Sequence, residues 1–213
     1  MSSASAPGLF LVLDGLDGCG KSTQATLLAE ALRDKGRDVL HTREPGGTEL
    51  GERVRALLLD RSLGDVAPMA EVVLYQASRA QLVEAVIRPA VAKGTVVVCE
   101  RWHYATTAYQ GAYEGVGRGA SEEALRQSSA LATAGVEPDR AILLDMPSVA
   151  SDARVGDDRD RLESRGDVYR ARVAERFRAV FAEDPAVRRI VDAEGSIADV
   201  AARVWEQVHD LLD

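Results

Sequence analysis

Four residues in the stretch LDGLDGCGKSTQ (13–24), namely Gly15, Gly20, Lys21 and Ser22, fill the spacing G-x-x-x-x-G-K-S. That spacing binds phosphate for a mechanical reason. Glycines let the backbone turn its N–H groups inward around anionic oxygens, and the positive end of the following helix adds to the field. The lysine then reaches the β- and γ-phosphates of a nucleotide, and the hydroxyl after it ligates Mg2+. The apolar run LFLVLD (9–14) before the loop and the helical spacing over 21–35 after it supply the strand and helix that the motif requires. The nucleotide-binding segment is therefore expected to comprise Gly15, Leu16, Asp17, Gly18, Cys19, Gly20, Lys21, Ser22 and Thr23. Cys19 lies near Lys21 and a helix start, a setting that activates thiols. The plainer reading, a small side chain contributing only its N–H, is preferred.

The elements that must hold this loop are legible as an alternation. Strands are predicted at 9–14, 38–42, 95–100, 140–145 and 188–192, and helices at 21–35, 48–59, 69–93, 121–134, 167–183 and 196–212. Continuous apolar strands separated by helices form a parallel sheet covered on both faces. The expected fold is α/β and doubly wound, with about five parallel strands. Such sheets bind ligands beyond the carboxyl ends of their strands. Polar sequence follows four of the strands at that edge: DGLDGCGKS, REPGGT, ERWHYATTAYQG and DMPS. Arg101, just past the third strand, is well placed for bidentate phosphate binding. The charged segment ARVGDDRDRLESRG (153–166) reads as a lid, and no linker divides residues 1–213 into two domains.

Composition narrows the function classes. The chain has 213 residues, 46% of them hydrophobic, and a formal net charge of −8, which disfavours a nucleic-acid partner. Its two cysteines, Cys19 and Cys99, make no disulfide framework and suit a reducing cytoplasmic compartment. MSSASAPG lacks a basic segment and a long apolar one, so residues 1–7 are expected to be a flexible tail, and TVVVC (95–99) is far too short to cross a membrane. A switch GTPase would need an N-K-x-D segment, which is absent, and AILLDM carries a lone Asp145 where many ATPases carry an acidic pair. Phosphoryl transfer to a small acceptor remains.

The stretches GLDGCGKSTQ, TREPGGTELGERVRALLLD, LYQASRAQLVEAVIRPAVAKGTVVVCERWHYATTAYQG and DRDRLESRG, in this order from Leu9 to about Val180, resemble bacterial thymidylate kinases, P-loop nucleoside monophosphate kinases. The resemblance implies transfer of the γ-phosphate of ATP to dTMP with Mg2+, and a homodimer formed through helices on one side of the domain. It assigns catalytic roles to Lys21, Asp17 and Arg101, and in the lid to Arg159 and Arg161, since Leu16 and Cys19 leave the loop without an internal basic group. It places dTMP against Arg43, Glu44, Pro45, Tyr75, Arg79, Arg101, Thr106, Tyr109 and Gln110, with Tyr75 stacking on thymine and Arg79 reading a base oxygen. The metal would meet Ser22, Asp17 and Glu100. Glu100 stands where the family usually has Asp and reaches one methylene further, while Trp102 and Ala105 replace residues that are commonly Tyr or His and Ser. Two further readings stay open here: a monophosphate kinase acting on another base, and a nucleotide-binding protein without turnover.

Overall fold

The computed structural model describes residues 7–116, 120–155 and 166–212. Five strands, β1 (Leu9–Asp14), β2 (Val39–Arg43), β3 (Val96–Glu100), β4 (Arg140–Asp145) and β5 (Arg188–Asp192), form one sheet of order β2-β3-β1-β4-β5, with all neighbours parallel. The inner strands are apolar on both faces, and their period of two divides the core. Phe10, Val12, Val97, Cys99, Ala141 and Leu143 face one side, and Leu9, Leu11, Leu13, Val96, Val98, Ile142 and Leu144 face the other.

The second of these faces is covered by α1 (Lys21–Asp34) and α9 (Ile197–Glu206), through Ala25, Leu28, Leu32, Val200 and Val204. The first is covered by α3 (Pro68–Leu82) with its continuation α4 (Arg88–Ala92), α5 (His103–Tyr109) and α8 (Asp167–Ala182), through Leu82, Ile87, Ala108, Phe177 and Phe181. Between α3 and α4 the rod widens into a π-helical turn at Val83–Ile87, next to Pro89, whose missing N–H breaks the regular ladder. The segment 69–93 is thus continuous, as its spacing predicts, but not uniformly α-helical. The remaining helices are α2 (Glu49–Leu59), α6 (Glu122–Thr133) and α7 (Ser148–Val155).

The structure departs from the sequence reading at two helices. The stretch after β3 folds as α5 and then a 3-10 segment at Gly111–Val116. Its threonines and tyrosines are weak helix formers, so local propensity does not announce α5. Burial overrides propensity there: Tyr104, Ala105, Thr106, Thr107 and Ala108 are all buried. The second is α7, whose last residues 153–155 fall in the expected lid. Lid residues 156–165, with Arg159, Arg161 and Arg165, lie outside the described residues, as does most of the expected tail. Among the described residues no helix is long and apolar enough to cross a membrane.

Candidate active site

The loop between β1 and α1 is shaped by glycine. Gly15 has φ 140°, and a Cβ there would come within 2.7 Å of the Leu144 carbonyl oxygen, so the strand end and the loop meet only around a hydrogen. Gly20 (φ 98°) opens α1 with no side-chain cap, which leaves the positive helix end turned to an incoming anion. The Lys21 ammonium lies over the loop, 2.7 Å from the Leu16 carbonyl oxygen and 3.1 Å from that of Gly15. Cys19 is buried in the core beneath the loop, and burial raises its thiol pKa, which fits a packing side chain better than a reactive one.

At the carboxyl end of β3 the chain turns sharply. Arg101 takes a left-handed conformation (φ 72°) rare for a residue with a Cβ, held by its N–H to the Leu13 carbonyl (2.8 Å) and by the next N–H, of Trp102, to the buried Asp14 carboxylate (3.2 Å). This turn directs the guanidinium across to the phosphate loop, where it donates to the Gly15 carbonyl (3.0 Å) and to the Asp17 carboxylate. The other Asp17 oxygen accepts from the Tyr109 hydroxyl at 3.0 Å. Burial alone would raise the Asp17 pKa, but the Arg101 and Lys21 charges and the Tyr109 hydroxyl hold it well below the usual carboxylate range. Asp17 therefore faces Arg101 with both oxygens engaged, and the metal-ligand role expected for it competes with that pairing.

Glu100 points to the α1 side of the sheet. One carboxylate oxygen accepts from the Ser22 hydroxyl and the other lies 3.0 Å from Nε2 of His41. Burial alone would raise its pKa, and the contacts with His41 and Ser22 outweigh that and keep it below the ordinary value. A hydroxyl and an ionised carboxylate meeting at the phosphate loop are the hard oxygen donors that Mg2+ prefers. Among the described residues no group of three or more acidic, histidine or cysteine side chains is placed to hold a metal ion by itself.

Beyond Arg101 opens a cleft of about 540 Å³ between the loop, α2, α3 and α5. It is lined by Glu44, Pro45, Tyr75, Arg79, Arg101, Thr106, Tyr109 and Gln110, so it gathers eight residues expected at the acceptor from three separate stretches of chain. Arg79 is 2% exposed, where composition alone would place it on the surface. Its guanidinium donates to Glu44 (2.8 Å), Gln76 (2.5 Å) and Thr106 (3.3 Å). Burial drives the Glu44 pKa from its ordinary 4.5 to about 7, against the opposing charge of Arg79. Glu44 Oε1 and Gln110 Nε2 are buried and have no hydrogen-bond partner among the described residues, which marks this cleft as built for a polar guest.

Two more clefts lie at the phosphate loop. One of about 1020 Å³ is lined by Lys21, Ser22, Thr23, Arg43, Glu100 and Arg154, and it shares Asp17, Glu44, Arg55 and Arg101 with the acceptor cleft. Arg43 thus lies on the phosphate side, paired with Glu52 (3.3 Å). The other, about 720 Å³, adjoins the phosphate loop on the far side, between Gly18, Thr23, Arg154 and the turn through Ala193, Gly195 and Ile197. Sequence reasoning missed Arg55, His41, Leu59 and this last turn. Arg55 sits inside the quoted motif TREPGGTELGERVRALLLD, one helical turn after Gly51, and that spacing was its one available signal.

The thymidylate kinase family model matches residues 13–204. A thymidylate kinase of Rhizorhabdus wittichii is 43% identical over 210 residues, 97% of this chain and 99% of its own length. One from Synechococcus sp. strain JA-2-3B'a(2-13) is 45% identical over 205 residues, 96% of each. The crystal structure of thymidylate kinase from Ehrlichia chaffeensis superposes with a TM-score of 0.74 at 27% identity, covering 94% of this chain and 98% of that one.

Proposed function

Because the chain belongs to the thymidylate kinase family and phosphorylates dTMP to dTDP with ATP, we propose that its clefts hold the two substrates end to end, with transfer between Lys21 and Arg101. The observation that carries this reading is the shared wall. Asp17, Glu44, Arg55 and Arg101 line both the phosphate cleft and the acceptor cleft, so phosphates entering from either side meet at the same side chains.

Phosphoryl transfer calls for two anionic groups held in line and for positive charge on the migrating oxygens, with no protein nucleophile. The loop Gly15–Thr23 and Lys21 hold the ATP phosphates, and the cleft beside Ala193 and Ile197 takes the donor's nucleoside. Arg55 and Arg101 hold the 5′-phosphate of dTMP, with Arg43 at the rim. The bond from the γ-phosphorus to the ADP oxygen breaks as one forms to an oxygen of that 5′-phosphate. Arg101 bridges both groups, and Asp17 aims it. Tyr109 closes the space about the sugar. Arg79, Thr106 and Gln110 hydrogen-bond thymine against the Tyr75 ring, with Glu44 and Pro45 completing the wall. Ser22 and Glu100 would hold Mg2+, which would supply positive charge to the phosphates of ATP. On the donor side Arg154 joins Lys21, with Arg159 and Arg161 of the lid as further candidates.

This reading is tested by ADP release with dTMP, dUMP, dCMP, dGMP and AMP as acceptors. The expected result is the highest kcat/KM with dTMP, abolished in Lys21→Ala. A different preferred acceptor would overturn the base assignment.

We also place the protein in the cytoplasm as a homodimer. Among the described residues the outer faces of the neighbouring helices α2, α3 and α6 carry Leu57, Val73 and Leu131, which are 47%, 59% and 83% exposed. Apolar side chains exposed on three adjacent helices favour a second copy. Val73→Glu is expected to shift sedimentation from dimer to monomer, and a sedimentation coefficient unchanged from wild type would refute the surface.

A further inference from the structure

His41 lies on β2 opposite Val98 of β3. Residues opposite one another, and two apart along a strand, share a face of the sheet, so His41, Val98 and Glu100 all point to the side covered by α1. That is also where Ser22 begins the helix. The result is a continuous chain of contacts: His41 Nε2 at 3.0 Å from Glu100 Oε1, and Glu100 Oε2 accepting from the Ser22 hydroxyl. The ionised carboxylate only accepts, so Nε2 carries the hydrogen and donates it. One oxygen of Glu100 is thereby occupied from the β2 side and the other is left turned toward Ser22.

We propose that His41 is a positioning residue for the metal-side carboxylate, anchoring one oxygen of Glu100 so that the other, with the Ser22 hydroxyl, meets the cation bound to the ATP phosphates. The proposal rests on the assignment of Mg2+ to Ser22 and Glu100 made above. It has a stereochemical reason. Glutamate at the end of β3 has a longer, more freely rotating side chain than an aspartate would have there, and a fixed donor restores the single orientation a shorter side chain would have had. Partners of metal ligands act this way generally, by orienting the ligand rather than touching the metal.

The test uses the full chain bound to a non-hydrolysable ATP analogue and titrated with Mn2+, the free metal being read by electron paramagnetic resonance. His41→Ala is expected to weaken Mn2+ binding about tenfold, the low end for such partners. His41→Gln, which keeps an N–H donor at the reach of Nε2, is expected to restore most of it. His41→Phe fills the ring volume without a donor and is expected to behave as the alanine variant, so the comparison with His41→Gln stands even where alanine compromises folding. In steady-state kinetics the apparent Mg2+ activation constant rises while KM for dTMP does not. Glu100→Gln separates the two levels of argument. If it leaves Mn2+ affinity unchanged, the metal assignment is wrong and the role of His41 falls with it. If it weakens Mn2+ while His41→Ala and His41→Phe bind as wild type does, the metal assignment stands and the proposal for His41 is overturned.

Discussion

Arg101→Ala is expected to lower kcat by a factor of roughly 30 to 1000, equivalent to about 2–4 kcal/mol of transition-state stabilisation, with KM for ATP little changed. The size follows from where the guanidinium is held. It lies in the wall common to the two clefts proposed for donor and acceptor, donating to the Gly15 carbonyl at 3.0 Å and to Asp17, and stacks 5.1 Å over the Tyr109 ring. A charge fixed in advance where migrating oxygens will pass costs no reorganisation during transfer. Arg101→Lys keeps the charge but not the planar fork, so it cannot hold the loop carbonyl and the carboxylate together, and its kcat is expected between the two. A purely structural ion pair predicts something else: Asp17→Asn and Arg101→Ala would then lose equal stability, and kcat per folded molecule would not change. Rapid-quench measurement of the transfer step alongside thermal unfolding separates these outcomes.

Arg79→Met should damage both folding and acceptor binding. The Arg79–Glu44 pair is almost wholly buried, with 2% and 3% side-chain exposure and a separation of 2.7 Å. Removing one member of such a pair strands the other charge and costs about 3–5 kcal/mol. For a chain of this length each kcal/mol moves Tm by about 2–4 °C, so a loss of roughly 10 °C is expected. KM for dTMP should rise roughly tenfold or more if, as proposed, the guanidinium is a charged hydrogen-bond donor to the base.

The stability change should depend on pH with a definite sign. Burial raises the Glu44 pKa from 4.5 to about 7, so between those values the folded protein binds more protons at this group than the unfolded chain does. Its contribution to stability therefore falls as pH rises through that window and is flat above it. In Arg79→Met the opposing positive charge is gone, the window extends upward, and the variant should lose more Tm relative to wild type at pH 8 than at pH 6. Adding Glu44→Gln should remove that difference and recover part of the stability. Equal losses at both pH values would show that Glu44 is not the group left exposed to the penalty.

The strands were legible because each inner one is a short apolar run buried on both faces, and all five lie within one residue of where the sequence puts them. The phosphate loop was legible because its chemistry is carried by consecutive residues whose spacing is itself the geometry. Helix α5 was not, because its threonines and tyrosines are helical only for the sake of the core they meet. Arg79 and Tyr75 were legible as members of a motif, but the burial of the arginine was not. It depends on Glu44, 35 residues away in sequence, and on Thr106, 27 away.

Local order therefore pointed to the fold class and to a phosphate-binding loop through spacing along the chain, and to the reaction type through the family resemblance that its motifs carry. Tertiary structure alone decided which charged groups meet. Arg101 meets Asp17 across 84 residues, and Glu100 meets Ser22 across 78 and His41 across 59. Those partnerships arise where parallel strands end side by side at one edge of the sheet. Coulombic and hydrogen-bond forces act over distance in space, and only the folded sheet turns positions far apart in sequence into neighbours a few ångströms apart.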